Sequence, residues 1–211
     1  MLFRSQLFGE QQIIEESLAV TPARFIGLEK NAWAAEIAQL VLFIGHVQIW
    51  LERTGIGPIG DHERGRRAKV IGALAACQRS IRVGDAVVDE QGRPPEWPKA
   101  DYIVGNPPYV GNKQMREALG SRYVDRLRKA YPEVPRTVDL VMIWWHRAAQ
   151  AVARGECRRM GLITTNSVRQ IQNRPVVRAA LDGDPPLRLA WAIPDHPWID
   201  RGAQVRISMV V

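Results

Sequence analysis

The sequence predicts an α/β fold with a mostly parallel sheet and an antiparallel edge, and three observations carry that expectation. Short apolar runs of strand length alternate with segments of helical period, which is the pattern of strand–helix–strand units. The strand-like runs stop at glycine, acid or proline signals, as strands do at the mouth of such a sheet. The last two β-rich runs have no helix between them, and strands joined that way pair antiparallel.

Residues 23–28 (ARFIGL) form a short apolar run that ends at Glu29, a buried parallel strand by composition. From Ala32 the period changes. Trp33, Ile37, Leu40, Val41, Ile44, Val47 and Leu51 recur at helical spacing and mark one face of a helix, with Asn31 in front as N-cap. Residues 55–69 are glycine-rich and charged and read as a loop. A short strand follows over 80–83, ending in Gly84-Asp85, and the three prolines of 91–99 make a connector. Residues 101–105 (DYIVG) are a third strand, stopped by Asn106-Pro107-Pro108. Helices are expected over 113–131 and 138–154, the second closed by Gly155, and a fourth strand over 159–164. Residues 187–193 and 205–211 complete the set, separated by PDHPWIDRGAQ.

Composition narrows the class. The 211 residues are one domain's worth of chain, and 46% hydrophobic with 24% charged residues rules out disorder as the main description. The most apolar stretch, 37–51, is interrupted by Gln39, His46 and Gln48, and no run of 18 uninterrupted apolar residues occurs, so no membrane span is expected. The first residues lack the apolar core of a signal peptide, and the cytoplasm is the default compartment. Cys77 and Cys157 are too few and too far apart for a disulfide framework or a zinc site, and the four histidines show no metal spacing. Of the net charge of +7, a surplus of +6 lies in residues 110–160. That block is either a well-solvated arginine-rich surface or a phosphate-facing one.

The chemistry concentrates at Asn106-Pro107-Pro108-Tyr109, just beyond the carboxyl end of a strand, where open α/β sheets bind ligands. Asn106 has a side-chain carbonyl acceptor. Pro107 has a backbone carbonyl and no N–H, and two prolines keep the turn rigid. Tyr109 adds a flat ring. Two acceptors and a stacking surface make a cradle for a planar amine.

This segment resembles the Asn-Pro-Pro-Tyr motif of S-adenosylmethionine-dependent amino-group methyltransferases, above all the DNA adenine-N6 enzymes. The stretches FIGLEKNAWAAEIAQLVLFIGHVQIW, DYIVGNPPYVGNKQMREALGSRYVDRL, DLVMIWWHRAA and RMGLITTNSVRQ are similar to large bacterial methyltransferases of restriction–modification and phage-defence systems, over roughly residues 18–211. The resemblance implies a Rossmann-like class I methyltransferase sheet and in-line methyl transfer to N6 of an adenine flipped out of double-stranded DNA. It implies Asn106, Pro107, Pro108 and Tyr109 as the catalytic motif. Glu29 would bind the ribose hydroxyls of S-adenosyl-L-methionine, and Asp85 the amino group of its adenine. No metal is implied. Lys113, Arg116 and Arg122, which come after the motif, are candidates for DNA phosphate contact, and Thr165-Asn166-Ser167 for lining the site.

Two departures from the family pattern stand out. Its first strand ends in a glycine-rich loop, whereas the 24 residues between Arg4 and Glu29 hold only Gly9 and Gly27, neither in such a motif. No target-recognition domain follows the late strands. The expectation is therefore a partial catalytic domain over 1–211, with the first strand and glycine loop missing and an incomplete cofactor site. The other uses of such a motif, protein-glutamine or ribosomal-RNA methylation, and a non-catalytic DNA-binding module stand as alternatives.

Overall fold

The computed structural model describes residues 21–54, 63–200 and 203–211. Pro22 shapes the start of the first described segment. It starts a 3-10 turn, Pro22–Arg24, closed by the Phe25 N–H on the Pro22 carbonyl at 3.1 Å. The first strand is therefore β1, Gly27–Glu29, and begins later than the apolar run from Ala23 suggested. Helix α1, Ala32–Thr54, is capped as expected: Asn31 Oδ1 accepts from the N–H groups of Trp33 and Ala34 at 2.9 and 3.3 Å.

Helix α2 spans Glu63–Ser80, so the expected loop over 55–69 is helical from residue 63, while 55–62 lie outside the described residues. Among the described side chains of α2, the buried ones are small: Ala73, Cys77 and Ser80. They follow helical spacing but add little to an apolar pattern, and the glycines just upstream obscure it further. Strand β2, Ile81–Val83, pairs parallel with β1, with Leu28 opposite Arg82 and Glu29 opposite Val83.

The expected apolar stripe of α1 forms, but it is not covered. Trp33, Leu40 and Val41 are 65%, 53% and 61% exposed. A 23-residue helix is about 35 Å long, whereas three-residue strands run only about 10 Å, so a two-stranded sheet of that length cannot cover it. Over Ala32–Glu52 the mean hydropathy reaches 1.5, so by length and composition this helix is apolar enough to cross a membrane, despite its interruptions. Gln39, in the first half of the helix, donates to the carbonyls of Gln78 and Ile81, tying α1 to α2 and β2.

The rest of the chain builds a four-stranded sheet in the order β3-β4-β6-β5. Strand β3 is Tyr102–Gly105 and β4 is Arg159–Thr165; they pair parallel, with Gly105 opposite Leu162. The expected helix over 113–131 divides at Gly120, whose φ of +81° breaks the helical path. It becomes α3, Met115–Leu119, and α4, Ser121–Ala130. Helix α5, Val141–Ala153, ends at Gly155 as expected, and α6 is Arg174–Leu181.

The antiparallel edge is present but begins later than the composition suggested. Strand β5 is Ala192–Asp200 and pairs antiparallel with β6, Ala203–Val210. Pro194 and Pro197, read as part of a separator, stand inside β5. Proline is tolerated there because β5 is the outer strand and its register shifts between Ile193 and His196.

The chain divides into two compact units, residues 1–86 and 87–211. The main core belongs to the second. Met115, Leu127, Leu140, Met142 and Ile143 are fully buried there, with Trp145 from the Trp144-Trp145 pair beside them. The strands thus form two sheets, one parallel pair and one mixed set of four.

Candidate active site

Asn106-Pro107-Pro108-Tyr109 leaves the carboxyl end of β3. Pro107 is buried and the other three are exposed, Tyr109 only partly. The turn thus has a buried apolar ring at Pro107, while Asn106 and Tyr109 are exposed. The Tyr109 hydroxyl donates to Asn106 Oδ1. Burial pushes the Tyr109 phenol above its ordinary pKa. An amide oxygen carries two lone pairs, so Asn106 has acceptor capacity beyond this bond.

A buried polar network that sequence reasoning missed holds the segment just after the motif. The Val110 carbonyl accepts from Leu140 N–H at 2.9 Å, and the Asn112 N–H donates to Asp139 Oδ1 at 2.9 Å. Asn173, completely buried, closes on the same acid. Its Nδ2 donates to Asp139 Oδ2 and to the Ser167 carbonyl, both at 2.8 Å, and its Oδ1 accepts from Asp139 N–H at 3.0 Å. On the other side, Arg128 donates to Asn112 Oδ1 and the Val138 carbonyl, both at 3.0 Å, and to the Pro135 carbonyl at 3.2 Å. Burial lowers the pKa of this guanidinium, and its hydrogen bonds to carbonyls compensate for the lost water. The available signal was an acid inside the apolar run Val138–Trp145. The partners of that acid are 27 and 34 residues away, which no local pattern reveals.

Arg128 also changes how the basic block reads. Part of it is internal: Arg147 stacks on Trp97 at 4.4 Å and donates to the Pro95 carbonyl. The candidate DNA contacts Lys113, Arg116 and Arg122 are all exposed, and Arg116 is paired with the exposed Asp125 at 2.7 Å. Thr165-Asn166-Ser167 leaves the carboxyl end of β4, beside the end of β3, so it shares a sheet edge with Asn106. Thr165 and Ser167 share a hydroxyl hydrogen bond at 2.5 Å. His146 is bound to Glu133 at 2.8 Å, and among the described residues no three His, Cys, Asp or Glu side chains converge.

The candidate cofactor residues sit in the other unit, at adjacent carboxyl ends of β1 and β2. Glu29 is half-buried; one carboxylate oxygen accepts from the Asn31 N–H at 2.8 Å, and the Glu29 carbonyl accepts from Gly84 N–H at 2.9 Å. Asp85, mostly buried, pairs with the exposed Lys30 at 3.0 Å. The two acids therefore flank one strand edge, and each is held by its own backbone or ion-pair contact. Gly9 lies outside the described residues.

An α/β chain with Asn-Pro-Pro-Tyr at a strand end, acids at neighbouring strand ends and a basic surface defines a methyltransferase-type domain. The family described as "MmeI, DNA-methyltransferase domain" matches residues 4–210, and the chain belongs to it. Among solved structures, one published as "Structure of Type IIL restriction-modification enzyme MmeI in complex with DNA has implications for engineering of new specificities" superposes with a TM-score of 0.64 at 17% sequence identity. The match covers 90% of this chain and 24% of that one, so the chain spans about a quarter of its length. At that identity the likeness speaks for the fold. Among curated proteins none matches the chain.

Proposed function

We propose that this domain transfers a methyl group from S-adenosylmethionine to N6 of an adenine flipped out of double-stranded DNA, as the modifying part of a restriction–modification protein. The observation that carries the reading is the Asn106–Tyr109 turn: two carbonyl acceptors and a ring at the carboxyl end of β3, on a loop anchored by buried hydrogen bonds.

The strand order supports the class I methyltransferase sheet. In a doubly wound sheet ordered 3-2-1-4-5-6, the first strand stands between the second and the fourth. With β1 and β2 as the second and third strands, and β3 and β4 as the fourth and fifth, each pair is adjacent and parallel within its own unit, as that order requires.

The residues suit the cofactor. Glu29 has a second carboxylate oxygen for hydroxyls, and Asp85, at the adjacent strand end, can accept from an amino group. S-adenosylmethionine, when bound, supplies a methyl group on a positively charged sulfur. Asn106 Oδ1 and the Pro107 carbonyl accept from the amino group of the target base, aim its lone pair, and stabilise the positive charge that develops on it. Tyr109 stacks on the base, and its hydroxyl shares Asn106 Oδ1 with the incoming amine. Flipping the base costs a few kcal/mol, which binding to this surface must supply. Lys113 and Arg122 are exposed cations that follow the motif in sequence and suit the phosphate backbone.

Asn106→Ala in the complete gene product is the test. Methylation of DNA adenine is expected to vanish while calorimetric binding of S-adenosylmethionine is retained. Retained methylation refutes the assignment.

A further inference from the structure

Ile171 is the most exposed large hydrophobic side chain among the described residues, at 82%. A single exposed isoleucine needs no explanation by itself. Its setting gives it one. The segment from Asn166 to Asn173 leaves the carboxyl end of β4, the parallel neighbour of the strand that carries Asn106–Tyr109. Its base is rigid: Gln170 N–H donates to the Ser167 carbonyl at 2.8 Å and Asn173 N–H to the Gln170 carbonyl at 3.0 Å. Below them Asn173 is locked to Asp139, the same carboxylate that holds Asn112 just after the catalytic turn. One buried acid thus fixes both segments. The stretch itself is basic, since residues 157–181 hold five arginines and no acid.

The geometry points to Ile171 as the wedge that enters the DNA base stack when the target base leaves it. The assignment rests on the proposed flipping of the target adenine. An extruded base leaves a gap whose neighbours have lost their stacking partner, at a cost of a few kcal/mol. Apolar side chains inserted between base steps recover part of that contact, and proteins that distort DNA use isoleucine among others for this. A β-branched side chain has few rotamers to lose on insertion. Gln170 and Gln172 flank the wedge and are bonded to each other at 2.6 Å. Their amides carry both donors and acceptors for the base left without a partner. The arginine-rich, acid-free stretch fits the phosphates on either side.

The experiment compares the wild-type and Ile171→Ala forms of the complete gene product on two duplexes. Both carry the enzyme's own methylation site, read from methylation sequencing of host DNA. One is fully paired; the other has an abasic position opposite the target adenine, so that the base is already unpaired. On the paired duplex Ile171→Ala is expected to lower kcat by about tenfold, because each 1.36 kcal/mol of lost support is a factor of ten in rate. On the abasic duplex the variant is expected to match wild type, and Ile171→Leu is expected to retain activity on both. With 2-aminopurine at the target position, the variant's fluorescence rise on binding the paired duplex should be smaller than wild type's. An unchanged rate on the paired duplex, or an equal loss on both, overturns the wedge alone. Wild-type enzyme that methylates adenine in neither duplex overturns the wedge together with the proposed adenine methylation.

Discussion

The two units of this chain spend their apolar residues differently. In residues 87–211 the large side chains are inside: Met115, Leu127, Met142 and Ile143 meet in one core, and even an arginine, Arg128, is drawn in. In residues 21–86 the buried side chains include Ala35, Ala73, Cys77 and Ser80, while Trp33, Leu40, Val41 and Ile71 are exposed. The lesson concerns where rigidity is needed. The unit with the candidate catalytic turn holds its loop through a packed core and a satisfied polar network. The unit with the candidate cofactor acids holds them by short strands and local contacts.

Substitutions can break that comparison. The largest stability effect is expected from Leu127→Ala, which opens a cavity in the packed unit and should cost about 2 to 5 kcal/mol in urea unfolding. Leu40→Ala, the same chemistry on the exposed face of α1, should stay within about 0.5 kcal/mol. Equal losses at the two positions would mean that the α1 face is covered in solution. Next comes Asn173→Ala, which leaves Asp139 and the Ser167 carbonyl without their partner and should cost about 1 to 3 kcal/mol. Hydrogen exchange at the Asn112 amide should also speed up, because the acid that accepts from it loses its own support. Unaltered exchange there would separate the network from the Asn106–Tyr109 turn.

The smallest effect is expected at the sheet's outer edge. Arg206 grips Asp195 with two bonds, at 2.6 and 2.7 Å, and holds its carboxyl below the usual carboxylate range. A depressed folded pKa contributes stability that is present above the ordinary carboxylate pKa and fades as pH falls through the folded value. Asp195→Asn should therefore lower the thermal midpoint slightly at neutral pH, and the difference should shrink with acid and with salt. A difference that grows on acidification would show that the pair is not its source.

Much of the fold was legible because its signals are local. Asn31 caps α1 because a short acceptor in front of an apolar stripe needs only neighbouring N–H groups. Gly155 ends α5 and Asn106-Pro107-Pro108 ends β3 because backbone chemistry acts within a few residues. Helix α2 was hidden because its buried face is made of small residues. Strand β5 was read short because the sequence does not say that its prolines lie on an outer strand. The candidate site divides the same way, since the turn was readable and Asp139, the acid that anchors Asn112 beyond it, was not.

By itself, then, the sequence determined the alternation of strands and helices, the Asn106–Tyr109 turn and the acids at strand ends. Each of these depends on residues within one or two turns of chain. Only the tertiary structure decided that Asp139, Asn112, Asn173 and Arg128 form one buried network. It alone decided that part of the basic block, Arg128 and Arg147, is drawn into the protein, and that Ile171 stands exposed on a rigid base. A polar group becomes an anchor only when distant parts of the chain exclude water from it and offer partners at hydrogen-bond distance.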